Sequence, residues 1–360
     1  MKTYRVAIVG LGRAGSTLDD EMGGLPRSVA GACAASDRLE CVAGADINPD
    51  RVEAFKTRWG VDSGYEDYKD MIEQEKPDLV AVCTTATGLP KPGRQAPSRD
   101  YFEDAHADIS AYAANQGIPL VYSEKAMACS MVKADAVRDA CHKHGTVFNT
   151  GVLRRFTANY QVMRGLIKEG AIGEPVTAVH YASSNLLHGH IHSIDTLSYL
   201  LGDPGVKEIR GQLLPRDLKI EDNRLDEDPD SNFQLEFDNG VTGWTVPAGG
   251  WEFEVLGTEG AVRSESSSRQ VSLREAVRGS SRRALWEPAD LPPIDEKQGP
   301  VVTALEDMVD AYESGRPSLG NIDVTHHITE AVLAIAESHR RGGEWLQLPI
   351  DNRDLYVFHV

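Results

Sequence analysis

The first 150 residues alternate between short apolar runs and longer stretches with helical periodicity. The apolar runs end in small or polar residues and occur at 4–10 (YRVAIVG), 40–46 (ECVAGAD), 77–85 (PDLVAVCTT), 118–124 (IPLVYSE) and 145–151 (GTVFNTG). Stretches such as DRVEAFKTRWG and ADAVRDACHKHG lie between these runs and repeat their apolar residues at helical spacing. Strands that alternate with helices predict a parallel, doubly wound α/β sheet, which binds ligands at the carboxyl ends of its strands.

The pattern changes after residue 150. Helices are predicted at 159–173 and around 190–201, and short strands separated by turn residues follow between about 205 and 275. We therefore predict an α/β domain at 1–125, whose sheet can extend to 150, and an α+β domain at 126–360. The second domain is expected to contain a large open, mainly antiparallel sheet. The last predicted helix, at 325–341, is a candidate to pack back toward the first domain.

The net charge of the chain limits the classes of partner that it is expected to bind. Its 360 residues include 55 acidic and 37 basic side chains, which gives a net charge of −18. This field repels phosphate backbones, so neither nucleic acid nor a membrane is expected as a partner. The longest apolar runs have the length of strands, and the first residues predict a strand rather than a secretory signal. The five cysteines form no C-x-x-C pair, which favours buried thiols and a cytoplasmic protein.

The turn after the first apolar run has the spacing G-x-G-x-x-G. Its residues are the predicted contacts of a dinucleotide: Gly10, Leu11, Gly12, Arg13, Ala14 and Gly15. Between a strand and a helix, the first glycine makes the tight turn, the second lets a pyrophosphate approach the backbone, and the third lets the helix pack on the strand. The N-terminus of the helix then stabilises the phosphate charge. A glycine-rich turn without a ligand is the alternative.

Asp46 ends the second predicted strand. Its carboxylate can accept hydrogen bonds from a ribose diol and would repel a 2′-phosphate, which favours NAD over NADP. The gap from Gly15 to Asp46 is 31 residues (46 − 15), longer than the ~20 of the usual fingerprint, and EMGGLPRSVAG accounts for the extra length. Arg13 lies inside the glycine turn and suits either cofactor. A strand-end aspartate that only caps the next helix is the alternative.

Two further stretches carry residues suited to proton and hydride chemistry. In YSEKAMA (122–128), Lys125 follows a strand at the ligand-binding edge, where an ammonium can polarise a carbonyl or stabilise an alkoxide. Taken alone, a lysine at such a position is more often a solvated loop residue. In NLLHGHIHSID (185–195), an imidazole can exchange an alcohol's proton near neutral pH. A helix that starts near His190 pairs His192 with Asp195, and an earlier start pairs His188 with His192.

Two alternatives exist for the histidines of this second stretch. In a strand, His188, His190 and His192 would share one side and suit a zinc ion. The histidines could also form a purely structural cluster. The amphipathic IDTLSYLLGD that follows favours a helix, so no metal is predicted.

Together these stretches resemble the Gfo/Idh/MocA family of NAD(P)-dependent oxidoreductases, which includes glucose-fructose oxidoreductase and inositol dehydrogenase. The resemblance spans nearly the whole chain, through VAIVGLGRAG, PDLVAVCTTAT, HADISAYAANQGIPLVYSEKAMA, LIKEGAIGEPVTAV, HSIDTLSYLLGD and FEVLGTEGAV. It implies a Rossmann domain followed by a domain with a large open sheet. It also implies a homodimer or homotetramer formed through that sheet.

The resemblance assigns roles to individual residues. The family's E-K-P motif falls on Glu124, Lys125 and Ala126, which makes Lys125 the catalytic lysine and replaces the proline. The family's D-x-x-x-H pair falls on His188 and His192, so His192 is expected to transfer the proton. His188 stands where an aspartate is usual, and we expect it to change how the substrate is oriented. Thr84, Thr85, Glu124 and Lys125 are further predicted cofactor contacts, and Arg154, Arg155, Asn185 and His188 are predicted substrate contacts.

These observations predict an NAD-linked oxidoreductase that acts on a sugar, cyclitol or sugar-derived alcohol or carbonyl. NADP is the less favoured cofactor. The Pro/Gly/Arg-rich insertion at 88–100, with Arg94 and Arg99, is expected to narrow the mouth of the substrate pocket. One alternative is a redox-neutral enzyme that retains NAD and cleaves glycosides or eliminates, with His188 as its base. Another is a non-catalytic, regulatory NAD-binding protein.

Overall fold

The computed structural model describes residues 2–86, 104–277 and 285–359. The insertion at 88–100, with Arg94 and Arg99, therefore lies outside the described residues. The chain forms two compact units. The first comprises Met1–Leu153, Lys297–His326 and Phe358–Val360, and the second comprises Arg154–Glu296 and His327–Val357. The first unit thus includes residues 126–153 and 297–326, which the sequence prediction assigned to the second domain.

The first unit is built on a six-stranded parallel sheet. Its strands are β1 (Tyr4–Val9), β2 (Leu39–Ala45), β3 (Ser63–Tyr65), β4 (Leu79–Val82), β5 (Leu120–Ser123) and β6 (Val147–Thr150). Their order is β3-β2-β1-β4-β5-β6, with every neighbouring pair parallel. This confirms the predicted doubly wound sheet, and the reversal of order between β1 and β4 is the point at which such sheets bind ligands. The short edge strand β3 was not predicted.

Helices separate successive strands of the first unit, and further helices occur in the second unit. Their bounds are α1 (Asp19–Met22), α2 (Val29–Ala35), α3 (Pro49–Trp59), α4 (Tyr68–Glu75), α5 (Ala105–Asn115), α6 (Met131–His144), α7 (Ala158–Lys168), α8 (Leu186–Leu200), α9 (Pro300–Ser314) and α10 (Ile322–Arg340). Among the described residues, the side chain of the residue just before the helix accepts a hydrogen bond from a backbone N–H at the starts of α2, α3, α4, α5, α6 and α10, namely Ser28, Asn48, Asp67, Asp104, Ser130 and Asn321. Each such cap is worth about 1 kcal/mol.

The central strands of the first unit are continuous apolar runs in the sequence because they are buried in its core. Val6, Ile8, Leu79 and Leu120 are all fully buried, because helices cover both faces of a parallel sheet. The late helix α9 packs on α2, β5 and β6. Its apolar side chains join the same core cluster.

The extra length between Gly15 and Asp46 forms α1 and a loop that Asp19 holds in place. The Asp19 carboxylate accepts hydrogen bonds from the backbone N–H of Arg27 at 2.6 Å and of Ser28 at 3.2 Å, and from the Ser28 hydroxyl. These contacts bring the loop back to the start of α2. The extra residues between Gly15 and Asp46 therefore lengthen this loop, and β1 and β2 still pair on either side of it.

The second unit contains a ten-stranded sheet that is antiparallel except where β12 pairs with β7. Its strands are β7 (Pro175–Tyr181), β8 (Ser184–Asn185), β9 (Val206–Leu213), β11 (Asp230–Phe237), β12 (Thr242–Val246), β13 (Glu252–Gly257), β14 (Gly260–Glu265), β15 (Gln270–Ala276), β16 (Trp286–Ala289) and β17 (Leu346–Gln347). A separate pair joins β10 (Arg224–Leu225) to β18 (Tyr356–Val357). The main path runs β16-β15-β14-β13-β7-β12-β11-β9-β17, and β8 pairs with β11. The large, mainly antiparallel sheet is confirmed.

Two helices of the second unit differ from their predicted bounds. The helix predicted at 159–173 ends at Lys168, because Gly170 and Gly173 adopt positive φ angles of 82° and 68°. The helix predicted around 190–201 begins earlier, at Leu186. Its first turn is capped by Asp228, whose carboxylate accepts from the N–H groups of Leu187 and His188, each at 2.7 Å. No residue close in sequence signals this cap.

Glu337 on α10 is a fully buried carboxylate with three cationic or amide donors. Arg340 and Arg341 donate to it at 2.6–2.7 Å, and Asn352 donates at 2.8 Å. Burial alone would raise its pKa, but these hydrogen bonds outweigh burial and lower the pKa of Glu337 to about 2. The carboxylate therefore stabilises the folded state wherever it is ionised.

We expect Glu337→Gln to lower the free energy of unfolding at neutral pH by about 1–3 kcal/mol, since charged donors lose their acceptor. In the wild type, the contribution of the carboxylate is complete above the ordinary value of 4.5 and is lost as pH falls through about 2. The variant should therefore lose less stability than the wild type between these pH values. Urea unfolding at several pH values measures this effect, and the exposed Glu344→Gln variant is the control. Parallel pH profiles for wild type and Glu337→Gln would disprove the assignment.

No helix in the described ranges combines the length and apolar character needed to cross a bilayer.

Candidate active site

The predicted cofactor residues lie along one edge of the parallel sheet. Gly10 follows β1, Asp46 follows β2, Thr84 comes just after β4, and Glu124 follows β5. These strands are consecutive neighbours in the order β2-β1-β4-β5. Because parallel strands end at a common edge, the structure gathers these four positions at the carboxyl edge of the first unit.

The three glycines of the turn differ in how much space surrounds them. A Cβ on Gly10, whose φ is +89°, would lie 2.6 Å from the Thr84 nitrogen, and a Cβ on Gly15 would lie 2.1 Å from the Gly10 oxygen. Both glycines are thus required by the packing of the protein itself. A Cβ on Gly12, in contrast, would meet no atom of the described residues nearer than an Arg51 nitrogen at 4.0 Å. The backbone at Gly12 is therefore open to a close approach, which is the property predicted for pyrophosphate binding.

Asp46 ties the glycine turn to the start of α3. One carboxylate oxygen accepts from the Leu11 N–H at 2.9 Å, and the other accepts from the Asn48 N–H at 2.9 Å. Arg51 lies 3.5 Å away and its side chain is 58% exposed, whereas that of Asp46 is 4% exposed. Ionised oxygens keep further lone pairs after one hydrogen bond each, so Asp46 can still accept from ribose hydroxyls.

Arg51 was not identified from the sequence. It lies close to both Gly12 and Asp46 in the first turns of α3. The available signal was a basic residue five positions after the strand-end aspartate, on the helix that this aspartate precedes. A guanidinium at this place adds positive charge beside the expected ribose and pyrophosphate positions.

The remaining residues of the turn have separate roles. Arg13 forms a bidentate ion pair with Glu21, with donor–acceptor distances of 2.7 and 2.6 Å, and both side chains are well exposed. The Leu11 side chain is buried, and Ala14 packs against the core. Any contact of Leu11 or Ala14 with a ligand would therefore use the backbone.

Thr84 and Thr85 extend the edge beyond β4. The Thr84 hydroxyl is buried and has no hydrogen-bond partner among the residues that the structure describes. A buried hydroxyl without a partner is costly, so it fits a ligand that supplies one. Thr85 is exposed. Open backbone at Gly12, spare acceptors on Asp46 and the buried Thr84 hydroxyl all fit a bound dinucleotide.

Glu124 and Lys125 follow β5, and both are half-buried. Burial raises the pKa of the Glu124 carboxyl, whereas the neighbouring Lys125 charge opposes this effect. The Tyr122 hydroxyl donates to Glu124 at 3.3 Å, and a Cβ on Gly151 would lie 2.8 Å from the same carboxylate. The Lys125–Ala126 peptide bond is cis.

In the second unit, α8 carries the two histidines of the predicted D-x-x-x-H position. Because α8 starts at Leu186, His188 and His192 are i, i+4 neighbours on one face. His188 is exposed and His192 is half-buried. The strand that the zinc alternative required is absent at 188–192, and no group of three metal-ligating side chains occurs among the described residues.

His190 and Asn185 have structural contacts beside these histidines. The His190 ring is fully buried between the Ser193 hydroxyl at 3.2 Å and the Ser231 carbonyl at 2.9 Å, and burial lowers its pKa to about 4. Asn185 is exposed and donates to the Asp228 carbonyl at 3.0 Å and to Asp230 at 3.2 Å. Asn185 therefore helps to fix the entry to α8.

The two arginines of the predicted substrate set differ sharply. The Arg155 side chain is 0% exposed and binds Asp195 at 2.8 Å and also Asp203. Burial raises the pKa of Asp195, and the Arg155 charge opposes that shift. These contacts favour a structural role for Arg155 instead of the predicted substrate contact. Arg154 stacks on Trp251 and Phe253, with its guanidinium carbon 5.1 and 5.6 Å from the ring centres.

Comparison with known proteins identifies this arrangement. Residues 4–152 match the family model described as the Gfo/Idh/MocA oxidoreductase family with an NAD-binding Rossmann fold. The Rossmann domain belongs to the Gfo/Idh/MocA family. This match confirms the predicted family and, through its NAD-binding description, the predicted NAD cofactor.

Relatives and solved structures extend the likeness beyond this family match. An inositol 2-dehydrogenase of Salmonella paratyphi B is 28% identical over 214 residues, which are 56% of this chain and 55% of that protein. The chain thus spans about half the length of the curated relatives it matches. An aldose-aldose oxidoreductase of Caulobacter crescentus has a TM-score of 0.74 at 20% identity, covering 96% of this chain and 100% of that one. An inositol dehydrogenase homologue of Azotobacter vinelandii, complexed with NADH and myo-inositol, has a TM-score of 0.72 at 18% identity, covering 96% and 98%. These structures share the fold.

We expect Asp46→Ala to weaken NADH binding by about tenfold to a hundredfold, because ribose hydroxyls lose a charged acceptor. Its preference for NADH over NADPH should also narrow, since the repulsion of a 2′-phosphate is removed. Fluorescence titrations with both reduced cofactors measure the two effects, and Asp50→Ala, an exposed acid on α3, is the control. An unchanged preference would assign cofactor selection to Arg13 or Arg51 instead.

Proposed function

We propose that this protein is an NAD(H)-dependent oxidoreductase that transfers hydride between the nicotinamide and a sugar, cyclitol or sugar-derived alcohol or carbonyl. The observation that carries the proposal is the order of residues along the carboxyl edge. Asp46, the glycine turn, Thr84 and Lys125 follow consecutive strands β2, β1, β4 and β5. At ~4.8 Å per strand, that edge spans about 14 Å, enough for an extended ligand with a phosphate at its centre.

The residues of this edge would divide the binding of NAD between them. Asp46 would accept hydrogen bonds from the adenosine ribose, and the backbone at Gly12 would bind the pyrophosphate. The Thr84 hydroxyl would contact a part of the cofactor nearer to Lys125. The preference for NAD over NADP is part of this proposal and is supported by the buried carboxylate of Asp46 at the end of β2.

Lys125 and His192 would supply the proton chemistry. When bound, the nicotinamide supplies the hydride acceptor or donor. In the oxidation direction, the Lys125 ammonium would stabilise the substrate oxygen as it loses its proton, and the His192 imidazole would accept that proton. In the reduction direction, His192 would return it. His188, one helical turn before His192, would orient the substrate by accepting or donating one hydrogen bond.

The names of similar proteins support the proposed substrate class. Inositol 2-dehydrogenase acts on a cyclitol. The net charge of −18 also favours a neutral polyol over an anion. Arg154 and Asn185 are proposed substrate contacts, whereas the buried ion pairs of Arg155 make it the weakest member of that set.

The test incubates the purified protein with NAD and a panel of cyclitols, aldoses and glycosides, and follows NADH by its near-ultraviolet absorbance. A dehydrogenase forms one NADH for each substrate molecule oxidised. Product formation without net NADH would support the redox-neutral alternative, in which NAD is retained. Binding of NADH without turnover of any compound would support the non-catalytic alternative and contradict the proposal.

We also propose, from the resemblance to the Gfo/Idh/MocA family, that copies of the chain assemble through the large sheet of the second unit. Trp244 and Val246 on β12 point to one face of that sheet and are 38% and 39% exposed. A second copy of the chain would cover them in a homodimer or homotetramer. A monomeric sedimentation coefficient at micromolar concentration would contradict this assembly.

A further inference from the structure

His106 lies buried on α5 with both ring nitrogens against backbone carbonyls. Its Nδ1 is 2.8 Å from the Ala126 oxygen, and its Nε2 is 2.8 Å from the Thr84 oxygen. The residue is 2% exposed. The ring therefore bridges two segments of the carboxyl edge, the one after β4 and the one after β5, which carry the proposed cofactor contact Thr84 and the proposed catalytic Lys125.

A second buried histidine, His359, contacts the carbonyl of Lys125, the residue before Ala126. The Nε2 of His359, near the C-terminus of the chain, is 3.2 Å from the Lys125 oxygen, and His359 is 2% exposed. Two consecutive carbonyls, those of Lys125 and Ala126, thus each face an imidazole from a distant part of the sequence. This fixes the backbone frame from which the lysine side chain extends.

The protonation of His106 limits what it can donate. Burial lowers the pKa of His106 to about 4, so the ring is neutral near pH 7. A neutral imidazole carries one N–H and can donate to only one of its two carbonyls in each tautomer. The contacts with Ala126 and Thr84 can therefore be tested one at a time. A substituted side chain with one N–H donor at the position of Nδ1 keeps only the first, and one with a donor at the position of Nε2 keeps only the second.

Precise placement matters most for a catalytic group on a long side chain. The lysine stem has several rotatable bonds, so the position of its ammonium depends on the backbone that anchors it. A misplacement of about 1 Å can cost a hundredfold in rate. A ring that fixes the adjoining carbonyl would therefore act on turnover without touching the substrate.

We propose that His106 is a positioning residue for Lys125, acting by donation from Nδ1 to the Ala126 carbonyl, with His359 holding the carbonyl of Lys125 itself. The proposal rests on the proposed function for the catalytic role of Lys125. Nothing in the sequence distinguished His106 from the other residues of its helix, because both of its acceptors belong to other segments.

Two substitutions at His106 separate its contacts. Asparagine carries its amide nitrogen at the same number of bonds from Cβ as Nδ1, and glutamine does so for Nε2. His106→Asn keeps a donor toward Ala126, and His106→Gln keeps a donor toward Thr84. With the best substrate of the polyol panel, we expect His106→Asn to keep kcat within about threefold and His106→Gln to lower it about tenfold to a hundredfold. NADH affinity should change less than kcat in His106→Gln, and His144→Gln, an exposed histidine on α6, is the control.

A second readout does not depend on turnover. Lysines are ¹³C-methylated on the intact protein, and the Lys125 resonance is assigned by its absence in Lys125→Arg. Its chemical shift and pKa should match the wild type in His106→Asn and change in His106→Gln. Since His359 donates from Nε2, the resonance should also be kept in His359→Gln and change in His359→Phe, which tests the same idea if His106 variants fold poorly.

The outcomes separate this inference from the proposed function. If no compound of the panel is oxidised but the Lys125 resonance follows the expected pattern, the proposed function fails and the positioning contact stands. Equal losses in His106→Asn and His106→Gln would reduce His106 to a packing residue and overturn the proposal. The reverse pattern, with His106→Gln unaffected and His106→Asn impaired, would overturn it too, because the ring would then serve Thr84 alone.

Discussion

Replacing Lys125 by methionine is expected to lower kcat by about a hundredfold to ten-thousandfold, while NADH binding changes by less than about tenfold. Methionine keeps most of the length of the side chain but removes the charge that would stabilise the reacting oxygen. Steady-state kinetics with the best polyol and fluorescence titration of NADH measure the two quantities.

A matched control is Lys56→Met, which removes an ammonium from an exposed ion pair with Glu53 on α3. It should leave kcat and NADH affinity near the wild-type values. A Lys125→Met protein that turns over within a few-fold of the wild type would remove the assigned role of Lys125, whatever the activity proves to be.

Replacing Arg155 by methionine is expected to lower the free energy of unfolding by about 3–5 kcal/mol. The substitution leaves the Asp195 carboxylate, which is 2% exposed, without its cationic partner. For a protein of 360 residues, each kcal/mol corresponds to roughly 1–2 °C in Tm, so thermal and urea unfolding both resolve the loss.

Arg164→Met provides the comparison, because Arg164 also binds Asp203 but is 27% exposed. Its loss should cost about 1 kcal/mol or less. The double variant Arg155→Met/Asp195→Leu should recover part of the stability, since no unpaired charge stays buried. Equal losses for Arg155→Met and Arg164→Met would contradict the structural role of Arg155.

The sequence predicted the elements that depend on local signals. Apolar runs and helical spacing predicted both sheets, and the glycine spacing predicted a turn in which Gly12 alone is left open. The start of α8 was placed too late because its cap, Asp228, lies some forty residues away in sequence. Sequence patterns depend on residues that are close together along the chain. A helix cap that comes from a residue distant in sequence therefore leaves no such pattern.

The same limit applies to the candidate site. Strand ends predicted that Asp46 and Lys125 would lie at one edge, because parallel strands share it, and both follow strands of the same parallel sheet. Side-chain partners were not predictable: Arg51 lies beside Asp46, Glu21 binds Arg13, and two carboxylates surround Arg155. These pairings depend on tertiary packing, and they decide which charged groups stay available to a ligand.

The most direct test of the central claim is a crystal structure of the protein with NAD. We predict a dinucleotide across the carboxyl edge of the first sheet, with a ribose hydroxyl on Asp46, the pyrophosphate at the Gly12 backbone and the nicotinamide beside Lys125. A cofactor bound elsewhere, or with its nicotinamide directed away from Lys125, would contradict the account.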